Sequence, residues 1–301
     1  MRVLVTGGRG FIGAWTTRVL LDDGHDVRTF DVHDDRALFD AIAGDRGAAS
    51  VEHLTGDITD ADAVERAVAG CDAVVHLAAV LIPTARQDPL LGARINVLGT
   101  LHVFEAAKRH GVRGVAYASS AAVFGPGDGI HPEPRTHYGA YKLCNEGNAR
   151  AYWEDAKVRS VGLRPATVYG PGREIGVTAD PTLAMRAAAE GTAYAMRFTG
   201  ATGMDYVEDV ATIFARAATQ TPEGAHALSL QGQLATMDDV LAEIRAVVPG
   251  AQVSAQGPEL MFAAEIDEAP LHRLFPGVRR TALADGVRAT IDFYRRTAAR
   301  A

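Results

Sequence analysis

The chain has 301 residues and only two cysteines, Cys71 and Cys144, far apart and outside any CxxC pattern. That scarcity excludes a disulfide scaffold and a cysteine-held zinc, and it points to a reducing, cytoplasmic setting. Basic residues are outnumbered, with 30 lysines and arginines against 37 aspartates and glutamates, for a net charge of −7. An acidic chain argues against nucleic-acid and anionic-membrane partners, both of which need clustered basic residues. Long apolar runs are missing too: the longest, Ala73 to Ile82, is interrupted by His76 and falls well short of the roughly 20 residues that cross a bilayer. Met1 leads directly into a strand and a glycine loop, with no signal-peptide core. The 10 histidines are scattered with no i,i+4 pair, so no metal site is expected.

Short apolar runs alternate with amphipathic ones. Val3–Val5, Val27–Phe30, Val51–Leu54, Ala73–Leu77, Val115–Ala118 and Ser160–Leu163 read as strands, and Phe11–Leu21 carries helical spacing. Strands with little polar interruption, separated by helices, predict an α/β fold: a doubly wound parallel sheet covered on both faces, with right-handed crossovers. Regularity weakens after Pro165. Tyr169–Thr182 is rich in glycine and proline and predicts a loop, followed by helices near Pro181–Glu190, Val207–Thr219, Met237–Val247 and Ala282–Arg296, with a strand at Ala225–Leu230.

Thr6-Gly-Gly-Arg-Gly-Phe-Ile-Gly13 follows the first strand and opens the first helix. Gly7 suits the tight turn, Gly10 lets a pyrophosphate approach the backbone, and Gly13 lets the helix pack closely. The helix N-terminus offers free N–H groups to the phosphates. Gly7, Gly10, Phe11, Ile12 and Gly13 are therefore the candidate phosphate cradle of a Rossmann-type domain. Asp31 ends the second strand. A carboxylate there accepts both ribose hydroxyls and repels a 2′-phosphate, favouring NAD over NADP. Arg9 and Arg36 stand near enough in sequence to compete for that phosphate. The expected division is a dinucleotide-binding domain over 1–165 and a smaller α/β substrate-binding cap over 166–301, with about 207–235 returning to the main sheet.

Tyr138 and Lys142 are i and i+4 at the start of a predicted helix and share one face. An ammonium beside a phenol favours phenolate, which is expected to lower the tyrosine toward neutrality and make it a usable acid–base group. Ser119 and Ser120 end the preceding strand, where ligands of such sheets bind. Ser120 is the better aligned candidate for orienting a substrate oxygen, with Ser119 as the fallback.

With Gly56-Asp57, His76-Leu-Ala-Ala79, Asn96-Val-Leu-Gly-Thr100, Ser119-Ser-Ala-Ala-Val-Phe-Gly125, Tyr138-x-x-x-Lys142 and Leu163-Arg-Pro-Ala-Thr-Val-Tyr-Gly-Pro171 in order, the chain resembles the extended short-chain dehydrogenase/reductases, the NAD-dependent epimerase/dehydratase family. The resemblance covers Met1 to about Ala218. It implies that Asp57 and Ile58 hold the adenine, that Leu77, Ala78 and Ala79 line the cofactor with Asn96 beside it, and that Pro165 adjoins it. It implies that Lys142 bonds the nicotinamide ribose while Tyr138 moves the proton. It also implies a homodimer built on the helices near Leu91–His110 and Tyr138–Asp155.

Three departures from the family pattern narrow the substrate. Thr167 stands where nucleotide-sugar enzymes carry asparagine, and Thr202 where they carry arginine, so two diphosphate-binding groups are gone. Phe124 replaces a tyrosine. Ser120 is followed by Ala121 and Ala122 with no carboxylate to assist dehydration. Ser120, Phe124, Thr167 and Arg173 are the candidate substrate contacts; Arg186 and Arg197 are weaker ones. The expected function is NAD-dependent oxidation of a secondary alcohol, or reduction of the ketone, on a sugar, sugar acid or related small molecule. The alternative is a sugar or nucleotide-sugar epimerase with transient oxidation. A non-catalytic dinucleotide sensor would not need the intact Ser120, Tyr138 and Lys142. Cys144 reads as a small packed residue, His76 as a packing group, and His137 as helix entry.

Overall fold

The computed structural model describes residues 1–260 and 265–298, without the side chains of 45–49. Its strands are β1 (Arg2–Thr6), β2 (Asp26–Asp31), β3 (Glu52–Thr55), β4 (Ala73–His76), β5 (Gly114–Ala118), β6 (Ser160–Arg164), β7 (Thr167–Tyr169), β8 (Tyr194–Met196), β9 (Ala201–Tyr206), β10 (Ala225–Ser229), β11 (Gln233–Thr236) and β12 (Val253–Ala255). The helices are α1 (Phe11–Asp22), α2 (Ala37–Ser50), α3 (Ala61–Val68), α4 (Ile82–Gln87), α5 (Pro89–Ala93), α6 (Gly99–His110), α7 (His137–Ala156), α8 (Asp180–Glu190), α9 (Val207–Thr219), α10 (Met237–Val247), α11 (Ala269–Leu274) and α12 (Leu283–Ala298). Among the described residues one sheet runs β10-β6-β5-β4-β1-β2-β3, and every pairing in it is parallel. The expected doubly wound architecture is the observed one.

The strands carry few polar residues because both faces are covered. On β1, Val3, Leu4 and Val5 are fully buried. Successive side chains point to opposite faces, so Val3 and Val5 pack with Ala14, Trp15 and Leu20 of α1 and Phe214 of α9. Leu4 packs on the other side with Val64 of α3 and Val103 and Phe104 of α6. Each such side chain contributes about 1.5–3 kcal/mol relative to exposure. The strand order reverses between β4 and β1, so a crevice opens beyond the carboxyl ends of those strands, at Thr6 and His76.

The later part of the chain divides its elements between two cores. Val207, Val210 and Phe214 of α9 share the core of Val3, and β10 pairs with β6 as the edge strand. A second, smaller sheet of order β11-β9-β7 packs with α8, α10 and α12 through Met185, Met204, Leu241, Ile244, Val287 and Ile291. Sequence periodicity did not predict β7, β9 or β11, which are 3, 6 and 4 residues long.

One buried charge in this smaller sheet is unusual. Asp205 on β9 is 1% exposed. Its Oδ2 accepts from the Ala166 amide at 2.8 Å, while Oδ1 has no partner. Burial pushes its carboxyl up from 3.8 to about 7. The folded state therefore holds a proton that the unfolded chain releases, and the stabilisation this brings fades as pH rises from about 4 through 7. Asp205→Asn keeps the acceptor and cannot ionise. Its melting temperature relative to the parent is expected to climb between about pH 5 and pH 8; parallel pH profiles in thermal unfolding would refute this.

Candidate functional site

The glycine loop is a close-approach structure. Gly7 adopts φ +67°, and a Cβ there would meet the Ala78 amide nitrogen at 2.9 Å; a Cβ on Gly13 would fall 2.1 Å from the Gly7 carbonyl oxygen. The first turn of α1 thus sits against the β1 turn. Gly10 caps it without any side-chain hydrogen bond, so the first amides of α1 face the crevice as donors for an anion. This cradle, with Asp31 at the next strand end, fits a dinucleotide pyrophosphate and ribose.

Asp31 accepts from the Arg9 amide at 3.1 Å and the His33 amide at 3.2 Å. The Arg9 guanidinium is occupied by the His33 carbonyl, Thr55 Oγ1 at 3.1 Å and Asp34 at 3.4 Å. Arg36 pairs with Asp40 at 3.1 Å. Both cations in reach of a 2′-phosphate have internal carboxylate partners. Asp57 is exposed and its Oδ1 caps the Thr59 amide. Ile58 is buried against Gly99.

The wall beyond β4 is held by a network in which sequence reading assigns roles to His76 and Asn96 but none to Thr6, Thr100 or Asn145. Thr6 Oγ1 accepts from the amides of Leu77 at 3.2 Å and Ala78 at 3.3 Å. His76 lies between Thr6 Oγ1 at 2.7 Å and Thr100 Oγ1 at 3.0 Å, and Asn145 reaches the same Thr100 oxygen. Burial pushes the His76 imidazole down to about 3, which keeps it neutral and structural. Asn96, expected beside the cofactor, spends both ends of its amide on the backbone of Val80, at 2.8 and 2.9 Å. It shapes the Leu77–Val80 wall through Val80.

Beyond the end of β5 stands Tyr138, the candidate acid–base residue, on the first turn of α7. Thr136 caps α7 by accepting from the Gly139 amide at 3.0 Å. A Cβ on Gly139 would lie 2.4 Å from the Ala122 carbonyl oxygen, so the first turn of α7 rests on the turn after β5. That contact brings the Ser120 hydroxyl close enough to Tyr138 to favour its ionised form. Ser120 Oγ also accepts from the Ala122 amide at 3.1 Å. Lys142 is 4% exposed; its Nζ donates to the Ala118 carbonyl at 2.7 Å and lies 5.4 Å from the centre of the Tyr138 ring. Burial lowers the ammonium to about 8. A hollow of about 480 Å³ adjoins the start of α7, lined by Ile82, Arg86, Pro134, Arg135, Thr136 and His137.

Several expectations are corrected by this geometry. The phenol of Tyr138 is raised, not lowered: its burial outweighs the opposing effects of the Arg173 charge and the Ser120 hydroxyl. The lysine is turned to a carbonyl and does not dominate the phenol. Phe124 is 2% exposed and packs with Val123 and Ile266, with the Arg164 guanidinium 5.0 Å from its ring centre; it is a core residue. Cys144 is exposed, not packed, because two residues beyond Lys142 the helix has turned away from the core. Thr167 is buried and bonded to Thr202 at 3.0 Å. Arg186 pairs with Glu174 and Glu190, and Arg197 with the buried Asp180. Arg173 lies over the Phe11 ring at 5.5 Å.

Ser119 is committed elsewhere. It donates to Glu146 Oε1 at 2.6 Å, and Arg164 grips the same carboxylate through Nε at 2.7 Å and a terminal nitrogen at 2.6 Å. Glu146 lies on α7 one turn past Lys142, so this ion pair bolts the catalytic helix to the ends of β5 and β6. The spacing Tyr138, Lys142, Glu146 was the available signal.

The family model described as "NAD dependent epimerase/dehydratase family" matches residues 3–229. The chain is 29% identical to the UDP-glucose 4-epimerase of Mycolicibacterium smegmatis over 98% of its own length and 99% of that protein's. It is 33% identical to the uronate dehydrogenase of Pseudomonas syringae pv. tomato over 54% of its length and 58% of that protein's. The crystal structure of the Thermus thermophilus UDP-glucose 4-epimerase in complex with NAD superposes with a TM-score of 0.82 at 27% identity, over 98% of this chain and 99% of that one.

Glu146→Gln removes the charge opposite a mostly buried guanidinium and is expected to cost about 3 kcal/mol of stability. Glu146→Leu combined with Arg164→Met should recover most of the loss. Urea unfolding measures both, and a Glu146→Gln midpoint equal to the parent's would contradict the bolt.

Proposed function

The chain belongs to the NAD-dependent epimerase/dehydratase family, and from that premise we propose that it oxidises a secondary alcohol of a small sugar, sugar acid or related hydroxy compound, or reduces the ketone. NAD is the cofactor and supplies the hydride acceptor. The observation that carries the reading is buried Lys142, which donates to the Ala118 carbonyl at the end of β5 with its Nζ 5.4 Å from the centre of the Tyr138 ring. Gly7, Gly10, Phe11, Ile12 and Gly13 hold the pyrophosphate. Asp31, Asp57, Ile58, Leu77, Ala78, Ala79, Asn96 and Pro165 form or shape the rest of the cofactor crevice.

In oxidation, Ser120 holds the substrate hydroxyl and the Tyr138 oxygen takes its proton as the carbinol C–H leaves with its electron pair. Lys142 Nζ keeps donors in reserve for ribose hydroxyls, having one carbonyl partner. Two features favour a small substrate: Thr167 and Thr202 bond to one another, and neither supplies the amide or guanidinium of a diphosphate site. The full-length likeness to a UDP-glucose 4-epimerase favours the second reading, an epimerase that uses the same proton transfer and returns the hydride to the opposite face.

Free Tyr138 holds its proton at neutral pH because burial raises it. For oxidation, kcat/KM should therefore rise with pH between about 7 and 9, while reduction stays level over that window. Tyr138→Phe should lower kcat by about 10²–10⁴ with NAD binding retained. The assay follows reduced-nicotinamide absorbance across a panel of sugars, uronic acids and hydroxy acids. Product inversion without that absorbance selects the epimerase, and undiminished turnover in Tyr138→Phe sinks both readings.

The cysteines, both free, support a cytoplasmic location. Exposed Leu91 on α5 and Leu98 just before α6, together with exposed Ala140, Cys144 and Ala151 on α7, support a homodimer through this helical face. Sedimentation should give two chains; a single chain at micromolar concentration would overturn that.

A further inference from the structure

Arg173 is a charged residue whose environment the proposed hydride transfer leaves unexplained. Among the described residues its guanidinium forms no ion pair, and its one side-chain hydrogen bond is to Thr178 Oγ1 at the long distance of 3.5 Å. Its Nε is buried without a partner. A half-buried guanidinium with a buried nitrogen left unpaired is costly unless a ligand completes it.

Its position says which ligand. The guanidinium lies over Phe11 at the phosphate loop, and its charge acts on the phenol of Tyr138. The loop that carries it is fixed at three points. The Trp15 indole donates to the Pro171 carbonyl at 3.0 Å, the Gly170 amide to Thr182 at 3.2 Å, and the Gly172 amide to Tyr294 at 3.1 Å. Gly176 closes around the side chain, since a Cβ there would come within 2.9 Å of a terminal nitrogen of Arg173. The fork is thus preorganised. The pyrophosphate already has the amides at the start of α1, and a nucleotide diphosphate on the substrate would need polar groups that Thr167 and Thr202 do not provide. The anion left to satisfy this planar, two-pronged cation is a carboxylate.

We propose that Arg173 is the receptor for a carboxylate on the substrate, so that the molecule oxidised is a sugar acid or hydroxy acid and not a neutral alcohol. This rests on the dehydrogenase reading for the chemistry, but the receptor is testable without turnover. Calorimetry titrates a uronic acid and its parent aldose into the protein loaded with reduced NAD, where oxidation cannot proceed, and the same pair is compared with NAD in the absorbance assay.

The acid should bind and react better than the aldose. Arg173→Met should shrink that preference by about tenfold to a hundredfold, mostly through KM and Kd, the range of one charge-assisted two-pronged contact. Arg173→Lys, which keeps the charge without the fork, should recover part of it. The Kd of NAD alone, read by fluorescence, should move by less than about twofold.

A parent protein that prefers the aldose, or fails to bind the acid, overturns the receptor whatever the variants do. So does an NAD affinity that falls as far as the acid's, which would give the guanidinium to the pyrophosphate. Acid binding without oxidation leaves the receptor standing and removes the dehydrogenase reading instead.

Discussion

Two cations without internal counter-ions among the described residues govern the site, one buried and one half-buried. Lys142 is held by one carbonyl oxygen, and Arg173 by one long contact to a threonine hydroxyl. In a chain of net charge −7, carboxylates were plentiful; elsewhere Arg9, Arg164, Arg186 and Arg197 all pair with one. At Lys142 and Arg173 no carboxylate answers the charge among the described residues. An uncompensated charge in a medium of low polarity is expensive, which is the ground for proposing that ligands with hydroxyls and anionic groups complete it. The same burial explains the lowering of Lys142 to about 8 and the raising of the Tyr138 phenol.

Paired charge does the opposite work one turn further along α7. Glu146 and Arg164 are mutually satisfied, with Ser119 completing the carboxylate. A closed network of this kind fixes geometry more than it adds affinity for anything. It joins α7 to the ends of β5 and β6, the three elements whose relative position sets the Ser120–Tyr138 contact. Stability is concentrated behind the reacting groups, and unpaired charge faces the ligand.

What was legible in the sequence was what local spacing dictates. The parallel strands were readable because Val3–Val5 and their counterparts have almost no polar interruption. Gly7 and Gly13 were readable because their backbone approaches admit no side chain, and Tyr138 with Lys142 because i and i+4 share a helix face. The rest depends on contacts between distant segments. The roles of Ser119 and Ser120 part only once Glu146 and Arg164 arrive from α7 and β6. Asn96 lies near the crevice in sequence motif but acts through Val80, and Phe124 sits behind the guanidinium of Arg164. The expected lysine effect on the phenol was overtaken by burial, a quantity that no local pattern reports. Strands as short as β7 carry too few residues to show a period of two.

The pairing of Thr167 with Thr202 gives the crevice its chemical limit. Two hydroxyls at 3.0 Å are each other's partners, so this strand pair closes without the long polar side chains that reach a diphosphate. The positive charge that such an arginine would have provided is absent there and present at Arg173, nearer the phosphate loop and the phenol. Moving a cation from the outer substrate region to this position changes what it selects. At the outer end it would reward a nucleotide handle remote from the chemistry; over Phe11, on the proposed reading, it rewards an anionic group on the substrate itself. Such a group also neutralises a charge that favours phenolate, so substrate recognition and the proton affinity of the base are coupled through one side chain.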